Sequence, residues 1–294
     1  MDFPAIYKAA SNCSAKAQSH FYKALRLELV LLIASAVISV LEITHWTIAV
    51  LQAALLLAAL ACTLFLYQRK DKPDRIWYQA RALAESIKTM TWRFVSKAEP
   101  YTADLSDVDV EHAFLKNLED LRRGNQLPYR YLVLPADAVS ITETMRAFRK
   151  RSLEERKDYY IKNRIDDQKQ WYESKSRTSH RQANRYTFVV VVTYVTALLL
   201  ALTRIRFPAV DGWPTGVAIT AAVAVKSWMQ AKRFSELAAS YSQTGADIHH
   251  LKEVMQADAR HGRLATEDAF SRFVGDAENA FSREHTQWLA RRDN

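Results

Sequence analysis

The chain has 294 residues, a formal net charge of +9, 25% charged residues and a mean hydropathy of -0.22. Two cysteines, Cys13 expected in the cytoplasm and Cys62 inside a membrane helix, argue against a disulfide framework. The basic residues flank apolar blocks instead of gathering on one face, which argues against nucleic-acid binding and for attraction to anionic lipid headgroups.

Those averages would suit a soluble protein, but the apolar residues are concentrated. No charge occurs from Thr47 to Tyr67, about 21 residues and enough to cross a ~30 Å hydrocarbon core as a helix. The N-terminus lacks the charged-then-apolar layout of a secretory signal, and the first apolar block begins too late for one. In chain order the pattern predicts spans over about 27–43 and 47–67, then about 187–205 and 214–231. The second and third are strong; the first and fourth are carried by pairing, since each lies one short turn from a strong one. Trp46 and Trp213 fall at the hairpin tips, and Tyr22, Tyr67, Tyr186 and Trp228 at the opposite ends, where an aromatic belt belongs. Lys8, Lys16, Lys23 and Arg26 precede the first span, and Arg69, Lys70, Lys72 and Arg75 follow the second. Lys175, Arg177, Arg181 and Arg185 precede the third, and Lys232 and Arg233 follow the fourth. Arg204 and Arg206 at the second tip are a partial exception. Positive-inside counting puts both termini and the central segment in the cytoplasm. The predicted fold class is all-α integral membrane, two helical hairpins with long cytoplasmic helices.

Gly and Pro mark the remaining elements. Neither occurs from Ala5 to Lys72 or from Ala136 to Phe207, so both stretches read as helix. The first breaks at the Thr44–Trp46 tip; the second predicts a polar helix over about 141–185 running straight into the third span. After the second span, Ile76, Ala80, Leu83, Ile87, Met90 and Phe94 form a heptad seam on a helix over about 75–97, ended before Pro100. Leu105 to Arg123 reads as a short helix stopped by Gly124-Asn125, and Tyr129 to Leu134 as an extended connector. Near the C-terminus Thr266 caps a helix with Phe270, Phe273, Val274, Ala277 and Phe281 on one face. Phe234, Leu237, Ala238, Tyr241 and Ile248 echo the heptad helix, which suggests an internal duplication into units 1–139 and 140–294.

The segment Trp77-Tyr78-Gln79-Ala80-Arg81-Ala82-Leu83-Ala84-Glu85-Ser86-Ile87-Lys88, with Trp92 and Pro100-Tyr101 beyond it, resembles the helix after the hairpin in SLATT-domain proteins. So do Arg164, Asp167, Gln168 and Trp171 in the middle, and Glu284, His285 and Trp288 at the end. These are two-transmembrane effector domains associated with SMODS and SLOG proteins of bacterial conflict systems, and the resemblance covers most of the chain as two units in tandem. It implies a membrane effector that forms a pore or disrupts the bilayer, triggered through a nucleotide-linked sensor or synthase partner. The chain is expected to be a homo-oligomer with the lipid bilayer as its other partner, and the resemblance implies the inner membrane of a bacterium.

No Gly-rich phosphate loop, metal-spaced Cys pair or Ser–His–acid frame is present, so no enzyme and no cofactor are expected. His249-His250 with Asp247 and Glu253 reads as a solvated helix face. Glu28, Ser35, Ser39 and Glu42 share one face of the first span, and Thr193, Thr196 and Thr203 one face of the third. Both stripes fit close helix packing or a water-lined path. Lys226 can snorkel to the cytoplasmic interface. A scaffold that recruits cytoplasmic partners, and less readily a small transporter, are the alternatives to an effector.

Overall fold

The computed structural model describes residues 1–40, 46–67, 72–208 and 212–290, with side chains in the last helix described to Ser282. Among these the chain is helical, with no strand. The α-helices are α1 (Ala5–Val40), α2 (Trp46–Leu66), α3 (Pro73–Ser96), α4 (Asp107–Gly124), α5 (Glu143–Arg149) and α6 (Leu153–Tyr160). A π-helical turn (Ile161–Asp166) leads into α7 (Asp167–Arg206), followed by α8 (Thr215–Lys232), α9 (Phe234–Arg260) and α10 (Glu267–Ala290). Tyr129–Tyr131, read as extended, forms a single 3₁₀ turn.

The predicted polar helix over 141–185 is not continuous. Thr142 caps α5, which ends at Arg149, and Ser152 opens a new helix. Its hydroxyl accepts from Glu155 N at 3.4 Å while the Glu155 carboxylate accepts from Ser152 N at 3.1 Å. This reciprocal capping box satisfies donors that a continuing helix would use internally, so Ser-x-x-Glu sets a start without Gly or Pro. From Leu153 the helix then runs unbroken to Arg206.

The chain packs as two compact units. The first comprises Met1–Gln18, Arg75–Glu173 and Ser242–Asn294. Its core is the predicted heptad face of α3: Ala80 and Ile87 are fully buried, and Ile76, Leu83, Met90 and Phe94 nearly so. Phe94 meets Phe114 and Tyr101 at ring distances of 4.7 and 5.8 Å. Arg149, buried at the end of α5, donates to the carbonyls of Phe94, Tyr101 and Thr102 at 2.7–2.9 Å. It thereby satisfies acceptors where α3 ends, just before Lys97 turns left-handed at φ 57°. The N-terminal residues are tied down as well, with Asp2 N donating to Thr144 and Ala5 N to the Val139 carbonyl.

The second unit comprises Ser19–Asp74 and Ser174–Tyr241. Ala183, Trp228 and Phe234 form its buried cluster, with Tyr22, Leu25, Leu29, Tyr186 and Met229 packed against it. Tyr186 stacks on Phe234 at 5.3 Å, Lys232 lies 3.3 Å over the Tyr22 ring and Arg26 lies 5.2 Å over Trp228. At the other end of these helices Gly212 has φ 70°, and a Cβ there would meet the Val40 carbonyl oxygen at 2.8 Å. Only glycine fits both the dihedral and that approach.

Candidate functional site

The π turn determines where the first unit's chemistry lies. Its i→i+5 winding, wider in cross-section than an α-helix, lets Tyr160, Arg164 and Ile165 all point inward, each at most 1% exposed. Glu278 of α10, 0% exposed, faces them. Its Oε1 accepts from Tyr160 at 2.9 Å and Arg164 Nε at 2.8 Å. Its Oε2 accepts from Arg164 Nη2 at 2.7 Å and Thr89 at 2.9 Å. Burial works against the Arg164 cation, yet the Glu278 charge and its hydrogen bonds outweigh it and hold that pKa above the ordinary guanidinium value. Burial, reinforced by the same carboxylate, drives the Tyr160 phenol well up. Phe281 covers one face of the Arg164 guanidinium at 4.5 Å. One guanidinium nitrogen, Nη1, is buried with no hydrogen-bond partner among the described residues.

Beside Arg164 opens a cavity of about 420 Å³. Trp77, Arg81, Glu85 and Ser86 line it from α3; Arg164, Asp167, Gln168 and Trp171 line it from the π turn and α7. Resemblance residues some eighty positions apart in the sequence thus share one wall system. Lys88 also lines the cavity, 3.7 Å from Glu85; burial lowers its pKa, partly offset by that carboxylate. Trp77 is buried and stacked on Tyr78 at 4.6 Å, and Trp171 meets Tyr172 edge-on at 4.9 Å.

Sequence reasoning missed the α1 wall, formed by Tyr7, Ser11, Ser14 and Gln18, and it missed Glu278. The signal for Glu278 was present: an acid beside Val274, Ala277 and Phe281 on the apolar face of α10 requires a buried cation. Trp92 lies apart from the cavity, packed against Phe3, Tyr159 and Tyr160. Glu284, His285 and Trp288 belong to α10, but their side chains lie outside the described residues. His249 contacts Lys169 at 2.9 Å and Glu253 at 3.6 Å.

The stripe residues of the apolar helices divide. Glu28 accepts from Thr63 of α2 at 2.7 Å, and Ser35 is buried. Ser39 is exposed and donates to the Ala36 carbonyl, while Glu42 lies outside the described residues. Thr193, Thr196 and Thr203 each donate to the carbonyl four residues back, at 2.5–2.9 Å. Such hydroxyls are satisfied within their own helix and need neither water nor a partner.

Among the described residues two helices, α2 and the Leu153–Arg206 helix, are long and apolar enough to cross a membrane, and almost none of their apolar stretch is buried. Leu57, Leu64, Phe188, Leu198 and Ile205 are 58–77% exposed.

Two family models match the chain. Residues 4–157 match SMODS and SLOG-associating 2TM effector domain 3, and residues 160–288 match SMODS and SLOG-associating 2TM effector domain 1. No curated protein and no solved structure matches. The chain belongs to the SLATT family of two-transmembrane effector domains and carries two of them in tandem.

Proposed function

We propose that this tandem SLATT protein is a membrane effector of a bacterial defence pathway that opens a pore, or breaks the bilayer barrier, when its cytoplasmic helices receive a signal. The observation that carries this reading is the bare apolar surface of α2 and α7 in a chain whose two halves are both effector domains. Apolar surface of that extent is not stable against water and calls for lipid or another copy of the chain.

In this reading α1 and α8 complete the two hairpins as weaker spans. The Thr63–Glu28 bond supports the first pairing and the Trp213 indole donating to the Leu200 carbonyl at 2.7 Å supports the second. Each satisfies a polar group that hydrocarbon would leave costly. Tyr22 under Lys232, Trp228 under Arg26, and Tyr186 stacked on Phe234 suit the cytoplasmic headgroup level. Both termini and the first unit are then cytoplasmic. A conduction path would form between several copies, from the apolar helix faces that one chain leaves bare. The trigger arrives from a nucleotide-signalling sensor or synthase, and no step requires catalysis by this chain.

The test is ion flux. The purified chain in anionic liposomes, supplied with the product or protein of its signalling partner, should dissipate a potassium gradient. A chain that inserts, binds its partner and never conducts is an anchor or scaffold, and the effector reading fails.

A further inference from the structure

The aromatic cluster of the second unit holds two cations over one platform. Lys232, in the last turn of α8, lies 3.3 Å over the Tyr22 ring and 5.0 Å over Trp228. Arg26, from the middle of α1, lies 5.2 Å over the same Trp228 ring. Tyr22 and Trp228 meet edge to face at 5.7 Å, and Trp228 is buried, so the platform is fixed. The two cations share one indole, and the Arg26 charge is felt at Lys232. Ring faces attract cations but carry no net charge, so both positive charges remain. Among the described residues neither side chain forms an ion pair, whereas the neighbouring Arg233 is held by Glu236. The carbonyls that end α8 favour a cation there and account for Lys232 alone; they do not account for Arg26, which α1 brings. Like charges held this way repel, and an anion between them removes the repulsion.

The surroundings select the kind of anion. Leu27 and Val30 follow Arg26 into the first span, 52% and 55% exposed, and Val30 lies one turn further along the Arg26 face. Two cations at one level therefore adjoin bare apolar side chains just beyond it. A soluble phosphate uses only the first part, and a phospholipid uses both. We propose that Arg26 and Lys232 bind the phosphate of an anionic glycerophospholipid, with an acyl chain along Leu27 and Val30. The inference rests on the membrane reading of α1 and α8 given above and adds a specific ligand to it. Arg meets a phosphate as a planar fork and Lys as a point charge, so each contributes a charge-assisted bond. A zwitterionic headgroup brings its own cation against the other two, which offsets what its phosphate gains. Arg26 belongs to the first SLATT match and Lys232 to the second, so one lipid bridges the two domains.

The experiment is native mass spectrometry of the delipidated full chain in neutral detergent. It is titrated with phosphatidylglycerol, with phosphatidylcholine of the same chains, and with soluble glycerol 3-phosphate. The first phosphatidylglycerol should bind about tenfold or more tighter than the first phosphatidylcholine, and glycerol 3-phosphate at equal concentration should not displace it. Arg26→Gln/Lys232→Gln should weaken that first event about tenfold or more. Lys23→Gln/Arg185→Gln removes as much charge from exposed positions near the same helix ends and should change it less than about threefold. Because Lys232 is half-buried, Arg26→Gln alone is the further variant; Arg26 is exposed, so the packing is kept, and about threefold weakening or more is expected. Equal affinity for the two lipids overturns the proposal, as does an unaltered affinity in Arg26→Gln. Equal weakening by the control pair overturns it in favour of diffuse surface charge, and displacement by glycerol 3-phosphate overturns it in favour of a soluble phosphate. The readout needs no flux: a chain that takes the lipid but never conducts sinks only the effector reading. One that conducts with no lipid preference sinks only this site.

Discussion

Arg164 and Glu278, 114 positions apart, form a side-on ion pair sealed from solvent on both sides. It joins the π turn to α10, with Tyr160 and Thr89 filling the remaining acceptor positions of the carboxylate. Breaking such a pair from one side strands a charge, which is costlier than deleting both partners.

Glu278→Leu is therefore expected to destabilise the first unit by about 3–5 kcal/mol, and Arg164→Met/Glu278→Leu by clearly less than the sum of the two single changes. Denaturant melts of the full chain in detergent measure the cycle. Additive losses would show that the two groups act independently.

Ile87 lies fully buried at the centre of the α3 seam. Ile87→Ala should cost about 2–5 kcal/mol and Ile87→Asp should unfold the first unit. Arg75→Gln, exposed on the same helix, should stay within about 0.5 kcal/mol. Thermal melts report stability, and carbonate extraction reports membrane association, which all three variants should keep. Loss of association in Ile87→Asp would contradict the assignment of insertion to the apolar helices.

Orientation is tested with single cysteines in a Cys13→Ser/Cys62→Ser background. An impermeant thiol reagent outside intact spheroplasts should label positions 44 and 211 and leave 104 and 260 unlabelled. The reverse pattern would invert the topology.

The span hydroxyls give a fourth test. Thr193→Val, Thr196→Val and Thr203→Val together should change stability by less than about 1 kcal/mol and leave flux intact, because each hydroxyl serves only its own helix. Ser35→Leu should cost about 1–3 kcal/mol by overpacking a buried position, whereas Ser39→Leu on exposed surface should be tolerated. A stable triple variant that no longer conducts would mean that these threonines line the path.

The sequence determined the helices and their buried faces wherever a local rule suffices. The heptad of α3 is buried residue for residue, since a period of 3.5 leaves one stripe to cover. Gly124 and Asn125 end α4 as the composition indicated, and Thr266 opens α10. The break at Ser152 is also written locally, in a Ser-x-x-Glu start signal that involves neither Gly nor Pro. What the tertiary structure alone decided is which distant polar residues share a wall. Trp77 and Trp171, or Arg164 and Glu278, carry no mark of their meeting, because no periodicity links positions on different helices. The cavity arises from the packing of α1, α3, α7 and α10 beside the Arg164–Glu278 pair. Helix faces follow from spacing along one segment; a site between helices follows from the burial energy of all of them together, which no single segment contains.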